Sequence, residues 1–147
     1  MGLAASIVGR FSRSLNSCCR LTTADGSRLS PAEIGRYGER IAKAWLWASG
    51  AKVLYQNFKA PRGGEVDVVA RDGTLLLFTE VKTRSSTEYG RPLEAVNLEK
   101  QKLIRRGANE WLRLLGTHEI PWRYDVIEVI LKDGEKPQVH RVENAFQ

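Results

Sequence analysis

Glu65 and Asp67, in Gly64-Glu65-Val66-Asp67, and Glu80 and Lys82, in Glu80-Val81-Lys82, have types and spacing that could do chemistry. Val66–Val69 and Leu75–Val81 read as strands, and Asp72-Gly73 between them is a strong hairpin signal. With those two residues as the turn, Arg71 pairs with Thr74, Glu65 stands opposite Glu80, and Asp67 stands opposite Phe78. Strand side chains alternate faces, so Glu65, Asp67, Glu80 and Lys82 point the same way, with Asp67 diagonal to Glu80. Like charges this close destabilise a sheet unless something compensates them. A divalent cation held by the carboxylates, with Lys82 beside it, is the simplest compensation, and such a cluster suits phosphodiester hydrolysis. A lone Glu–Lys pair on a strand is usually a solvated surface pair worth little. Leu75–Val81 is too apolar to be a solvated edge, which favours a functional cluster on a largely buried strand.

The elements that must position these residues are legible on both sides of the hairpin. Ser30-Pro31-Ala32-Glu33 is a capping box with proline at the first helical position. Ile34, Tyr37, Ile41, Trp45 and Ala48 follow at helical spacing, and Gly50 closes the helix. Gly35, Ala42 and Leu46 form a small-residue edge beside that stripe, and Glu39 sits well off its centre. Lys52–Phe58 reads as a strand that turns at Pro61-Arg62-Gly63-Gly64 into the hairpin. Asn97 can cap a helix from Leu98 to Leu115 with Leu103, Ile104, Ala108, Trp111, Leu112 and Leu115 as its apolar set, and Gly116 stops it. Trp122–Leu131 and Gln138–Val142 read as two further strands. The order of helix, three strands, helix and two strands predicts an α/β domain with a mixed sheet flanked by helices.

A length of 147 residues suits one domain with a single core. No window approaches the length of a membrane-spanning helix. The only cysteines, Cys18 and Cys19, are adjacent, which is neither a disulfide framework nor metal-site spacing, and they read as free thiols of a cytoplasmic protein. The net charge of +6 divides evenly, +3 in residues 1–29 and +3 in the rest, so charge alone permits a nucleic-acid partner without requiring one. Residues 1–29 are rich in Ser and Arg, poor in acids and without sustained periodicity, which predicts a disordered N-terminal extension ahead of a domain over 30–147.

From about Ser30 to the end the chain resembles two nested groups. The wider is the restriction-endonuclease-like superfamily, whose pattern of a helical Glu, a strand Asp and a following Glu-x-Lys strand is met here by Glu39, Asp67, Glu80 and Lys82. The narrower is the YraN family of bacterial endonuclease-like proteins. Its features appear as Gly35-Arg36-Tyr37-Gly38-Glu39, Gly63-Gly64-Glu65-Val66-Asp67, Glu80-Val81-Lys82-Thr83-Arg84, Tyr89-Gly90 with Glu94-Ala95-Val96, Lys100-Gln101-Lys102-Leu103, Tyr124-Asp125-Val126 and Asn144-Ala145-Phe146. Val66 stands where the wider superfamily often has Pro, and Arg105 stands where one nuclease branch has Tyr four residues after its helical Gln.

The resemblance implies a restriction-endonuclease-like core and a metal-dependent nuclease acting on DNA, with branched or processed DNA as one substrate class. Asp67 and Glu80, joined by the Val81 carbonyl and by Glu65, would bind Mg2+ or Mn2+. Lys82 would position or deprotonate the attacking water and stabilise the transition state. Glu39 would approach from its helix, and Gln101 would orient water or the scissile phosphate. Arg62, Arg84, Arg91 and Lys102 are candidates for phosphate contacts, and Tyr89 for stacking on a base. The partner so implied is nucleic acid, DNA first, with a homodimer or protein partner left open. The rival reading from another class is a nucleic-acid-binding module or complex subunit that keeps the fold but has little intrinsic cleavage.

Overall fold

The computed structural model of the chain describes residues 13–85 and 96–147. Its elements are helix α1 (Pro31–Ala48), strands β1 (Lys52–Lys59), β2 (Glu65–Asp72) and β3 (Leu75–Arg84), helix α2 (Leu98–Leu115), and strands β4 (Trp122–Ile130) and β5 (Gln138–Phe146). They form a mixed five-stranded sheet in the order β1-β2-β3-β4-β5. Among the described strands only the β3–β4 pair is parallel, and α2 lies in its crossover. The α/β class and the element order agree with the sequence reading; β5 runs on to Phe146 rather than stopping at Val142.

Local signals set the helix ends. The Ser30 hydroxyl accepts from the Glu33 amide while the Glu33 carboxylate accepts from the Ser30 amide, completing the capping box. Asn97 caps α2 by accepting from the Lys100 amide at 2.9 Å, and Gly116 ends it in the left-handed region at φ 75°.

Each helix covers one face of the sheet. Ile41, Ala42 and Leu46 of α1 pack with Val68, Ala70, Leu77, Val81, Ile127 and Val129. Ile104, Ala108 and Leu112 of α2 pack with Val66, Val69, Leu76, Phe78, Tyr124 and Val126. The seam α1 presses into the sheet is Gly38, Ala42 and Leu46, while Tyr37 and Trp45 are half-buried beside it and Ala48 is exposed. Gly35 takes no part in the seam: a Cβ there would meet nothing within 4 Å. A Cβ on Gly38, by contrast, would fall 1.8 Å from Thr83 Oγ1, so the helix sits directly on β3 at this point. The second close approach is between Gly64 and Gly107, where a Cβ on Gly64 would lie 2.6 Å from the Gly107 amide nitrogen.

The hairpin register corrects the sequence expectation. Asp72 pairs with Leu75 and Val68 with Thr79, so Gly73 and Thr74 form the turn instead of Asp72 and Gly73. Gly73 has φ 59° and occupies the first central position, where a tight hairpin turn needs positive φ. The pairing count moves by two, which preserves side-chain parity, so Glu80 and Asp67 still meet although Phe78 now pairs with Val69.

Strict alternation fails at Asp67. Val68 belongs to the α1 side and Val66 to the α2 side. In the neighbouring strand Gln56 bonds Lys43 of α1, whereas Phe58 packs on the α2 side. Both strands therefore roll over here, and Asn57 marks the crossing with φ 53°. Asp67 is the β2 residue at the roll.

Residues 13–29 correct a second expectation. Cys19 and Leu21 are buried in the α1-side core, at 3% and 5% exposure. The backbone of Cys19 bonds Glu135 O and Gly134 N, and the Leu21 amide donates to Asp133 Oδ1 at 2.6 Å. The segment is a strap across the β4–β5 turn rather than a disordered extension. It buries Cys19 and Leu21, packs Leu15 and Leu29 partly against the same cluster, and is held further by backbone bonds, a spacing with no helical or strand periodicity to read.

Candidate active site between β2, β3 and both helices

Glu80 is the centre of the site. It is 2% exposed, on the sheet face covered by α2. Its Oε1 lies 3.5 Å from Lys82 Nζ and 3.6 Å from Lys100 Nζ. Its Oε2 is buried with no hydrogen-bond partner. Burial, and then the neighbouring Asp67 charge, push its carboxyl up to about 8.

Asp67 joins Glu80 from β2. Its Oδ2 accepts from the Val81 amide at 2.9 Å, which ties the start of β2 to the end of β3 beyond the last ladder pair. Because Asp67 stands at the roll, it is reached from both sides of the sheet. Glu39 feels it from α1: burial first, then the Asp67 charge, raise the Glu39 carboxyl above its ordinary value. The Gly38 contact with Thr83 brings α1 close enough for the next residue, Glu39, to do this.

Glu65 pairs with Lys100, and that bond, foremost, holds its carboxyl below the usual value. Burial pulls Lys100 down, but its bond to Glu65 and the charges of Glu80 and Asp67 outweigh it and the ammonium is raised. Lys100, read from the sequence only as part of Lys100-Gln101-Lys102-Leu103, joins the acidic cluster here. Its signal is the third helical position after the Asn97 cap, with Gly107 two turns on to seat the helix on β2.

Among the candidates read from the sequence, Glu39, Glu65, Asp67, Glu80 and Lys82 are brought together, with the Val81 backbone beside them. Gln101 turns instead toward its own helix start, donating to Val96 O at 3.1 Å and accepting from Arg105 at 3.4 Å. Arg84 is engaged by the buried Glu128 at 2.8 Å. Lys102 pairs with Glu99 on the exposed side of α2. Arg62 lines a cavity with Glu110 and Arg113, farther along α2. Tyr89 and Arg91 lie outside the described residues.

Glu39, Val81 and Lys82 border a cleft of about 540 Å3 that Arg28, Thr83 and Ser85 also line, among others. Leu29 and Glu39 also border a second cleft of about 570 Å3 with Arg36, Arg40, Lys43 and Asn57. A trough with basic side chains on both sides thus passes Glu39.

Whether these residues suit a metal can be judged from their chemistry. Among the described residues no three His, Cys, Asp or Glu side chains form a ready-made cage. The unpartnered Glu80 Oε2 beside Asp67, however, is an oxygen in need of a proton or a cation, and an all-oxygen donor set suits Mg2+ or Mn2+. The donor set fits.

The fold and site define an α/β domain in which a buried glutamate, a half-buried aspartate and two lysines gather where its central strands meet both helices. Among the described residues no helix is long and apolar enough to cross a membrane. The chain belongs to the Uncharacterised protein family UPF0102, whose model matches residues 38–129. It is similar to a UPF0102 protein of Rhodococcus jostii, 42% identical over 113 residues that cover 77% of this chain and 95% of that protein. A UPF0102 protein of Trichlorobacter lovleyi is 44% identical over 114 residues, 77% of this chain and 89% of that protein. One from Beutenbergia cavernae is 48% identical over 97 residues, 66% and 81% respectively. The matched region contains Glu39, Glu65, Asp67, Glu80, Lys82 and Lys100, and leaves out the Cys19–Leu21 strap and β5.

Proposed function

We propose that the chain is a metal-dependent nuclease that hydrolyses phosphodiester bonds in DNA, with branched or processed DNA as a candidate substrate. The resemblance to the YraN family and the restriction-endonuclease-like superfamily points the same way. The observation that carries the reading is the buried Glu80 carboxyl, half unpartnered, beside Asp67 and 3.5 Å from Lys82. Two carboxyls this close need a shared proton or a cation between them.

Asp67 and Glu80 would hold Mg2+ or Mn2+, with the Val81 carbonyl and Glu65 as further oxygen donors. When bound, the cation lowers the pKa of water and neutralises charge developing on the phosphoryl oxygens. Lys82 places a positive charge beside Glu80, where it orients the attacking water and offsets transition-state charge. Glu39, its carboxyl raised by burial and by Asp67, is suited to take a proton at the cleft. Arg28, Arg36 and Lys43 line the two clefts that meet at Glu39 and would receive the phosphates.

The test is cleavage of single-stranded, duplex, flapped and four-way DNA, and RNA, with Mg2+ or Mn2+, against Asp67→Ala and Lys82→Ala proteins. Metal-dependent cutting that both substitutions abolish, with binding retained, supports the reading. Binding without cutting on every substrate favours instead a nucleic-acid-binding subunit with the same fold.

A further inference from the structure

We infer that Lys100 is the built-in counter-cation of this site: it occupies the space between Glu65 and Glu80 in the metal-free protein and must leave it for a divalent cation to bind. The inference rests on the metal-dependent reading above and adds to it what controls the metal.

Lys100 is held in place by the fold. Its amide is fixed by the Asn97 cap, and the Gly64–Gly107 contact seats the same helix on the start of β2. Its side chain, 21% exposed, pairs with Glu65 and stands 3.6 Å from Glu80 Oε1. A single ammonium thereby serves two carboxylates from different strands. It leaves Glu80 Oε2 without a partner, so the compensation it supplies is incomplete.

A divalent cation would bring twice the charge to the same oxygens. It cannot bridge Glu65 and Glu80 while Lys100 does, because Lys100 alone contacts both carboxylates and a second cation between them would be repelled. Metal affinity is then a competition. The lysine preserves the acidic cluster when no metal is present and weakens metal binding by the same interaction. Lys82, two residues along β3 on the same face, contacts Glu80 but not Glu65, so it flanks the bridged space and stays beside Glu80 in both states.

The experiment is calorimetric titration of Mn2+ into metal-free wild-type, Lys100→Met and Lys100→Arg proteins, each checked for folding by thermal denaturation. Lys100→Met is expected to bind Mn2+ about tenfold tighter or more, and Lys100→Arg within about twofold of wild type. Equal binding by wild type and Lys100→Met, or weaker binding by Lys100→Met, overturns the inference while leaving the metal-dependent reading in place. No binding by any of the three overturns both. Should Lys100→Met fail to fold, the wild-type protein still decides the matter through nitrogen-15 NMR of its lysine ammonium groups. Release of Lys100 from Glu65 as Mg2+ saturates the site supports the inference, and an unchanged Lys100 signal during Mg2+ binding refutes it.

Discussion

Replacing Glu80 by Gln in the metal-free protein should turn a pH-dependent stability into a nearly flat one. In the folded chain burial and the Asp67 charge raise the Glu80 carboxyl from 4.5 to about 8. The folded state therefore binds more protons than the unfolded state between those values. Stability is fully present below about pH 4.5, falls as pH rises, and is lost through about pH 8. At ~1.4 kcal/mol for each pH unit, that interval corresponds to a few kcal/mol. Such a loss is a large share of the roughly 5–15 kcal/mol that stabilises a typical domain. Gln keeps the shape and cannot ionise, so the variant should match wild type near pH 5 and exceed its stability by a few kcal/mol near pH 9. The assay is urea denaturation in EDTA, followed by tryptophan fluorescence, at intervals between about pH 5 and about pH 9. Parallel curves for the two proteins would refute the assignment of the buried charge to Glu80.

Three further outcomes follow from the same geometry. Gly38→Ala puts a Cβ against Thr83, 1.8 Å from its Oγ1, and should cost ~1–3 kcal/mol by thermal denaturation, whereas Gly35→Ala, with open space around it, should be neutral or slightly stabilising. Leu21→Ala should destabilise by ~2–4 kcal/mol because the strap packs into the α1-side core; a change under roughly 0.5 kcal/mol would mean that the strap does not contribute to folding. Arg36→Ala with Lys43→Ala should weaken DNA binding and flatten its dependence on salt by about one unit of log–log slope for each phosphate that is no longer neutralised; an unchanged slope would remove the α1 side of the trough from the binding surface.

Signals that act over a few residues were legible directly from the chain. The Ser30–Glu33 box, the Asn97 cap and the Gly116 stop satisfy helix-end groups within one turn, so no distant residue is needed to read them. The shared face of Asp67 and Glu80 was legible for a related reason. The true register differs by two residues, and side-chain parity is indifferent to a slip of two. That the turn begins at Gly73 was not legible, because Asp72-Gly73 and Gly73-Thr74 can both turn a hairpin and the choice rests on how β2 and β3 pack between the helices.

The rest belongs to contacts between residues far apart in sequence. Lys100 reaches Glu65 and Glu80 because two glycines let α2 touch β2, and a lysine in a helix otherwise reads as a solvated residue. Arg84 looks free for phosphate in the sequence, but the parallel β3–β4 pairing sets it beside Glu128, which takes it. Residues 13–29 have the composition of a disordered tail, yet the β4–β5 turn supplies them with hydrogen bonds and the core takes Cys19 and Leu21. The sequence by itself determined Glu39, Glu65, Asp67, Glu80 and Lys82 as candidates for one site and the elements that carry them, but not the part Lys100 takes. Only the tertiary structure decided which charges neutralise one another there, since that depends on distances that local hydrogen bonding and periodicity do not encode.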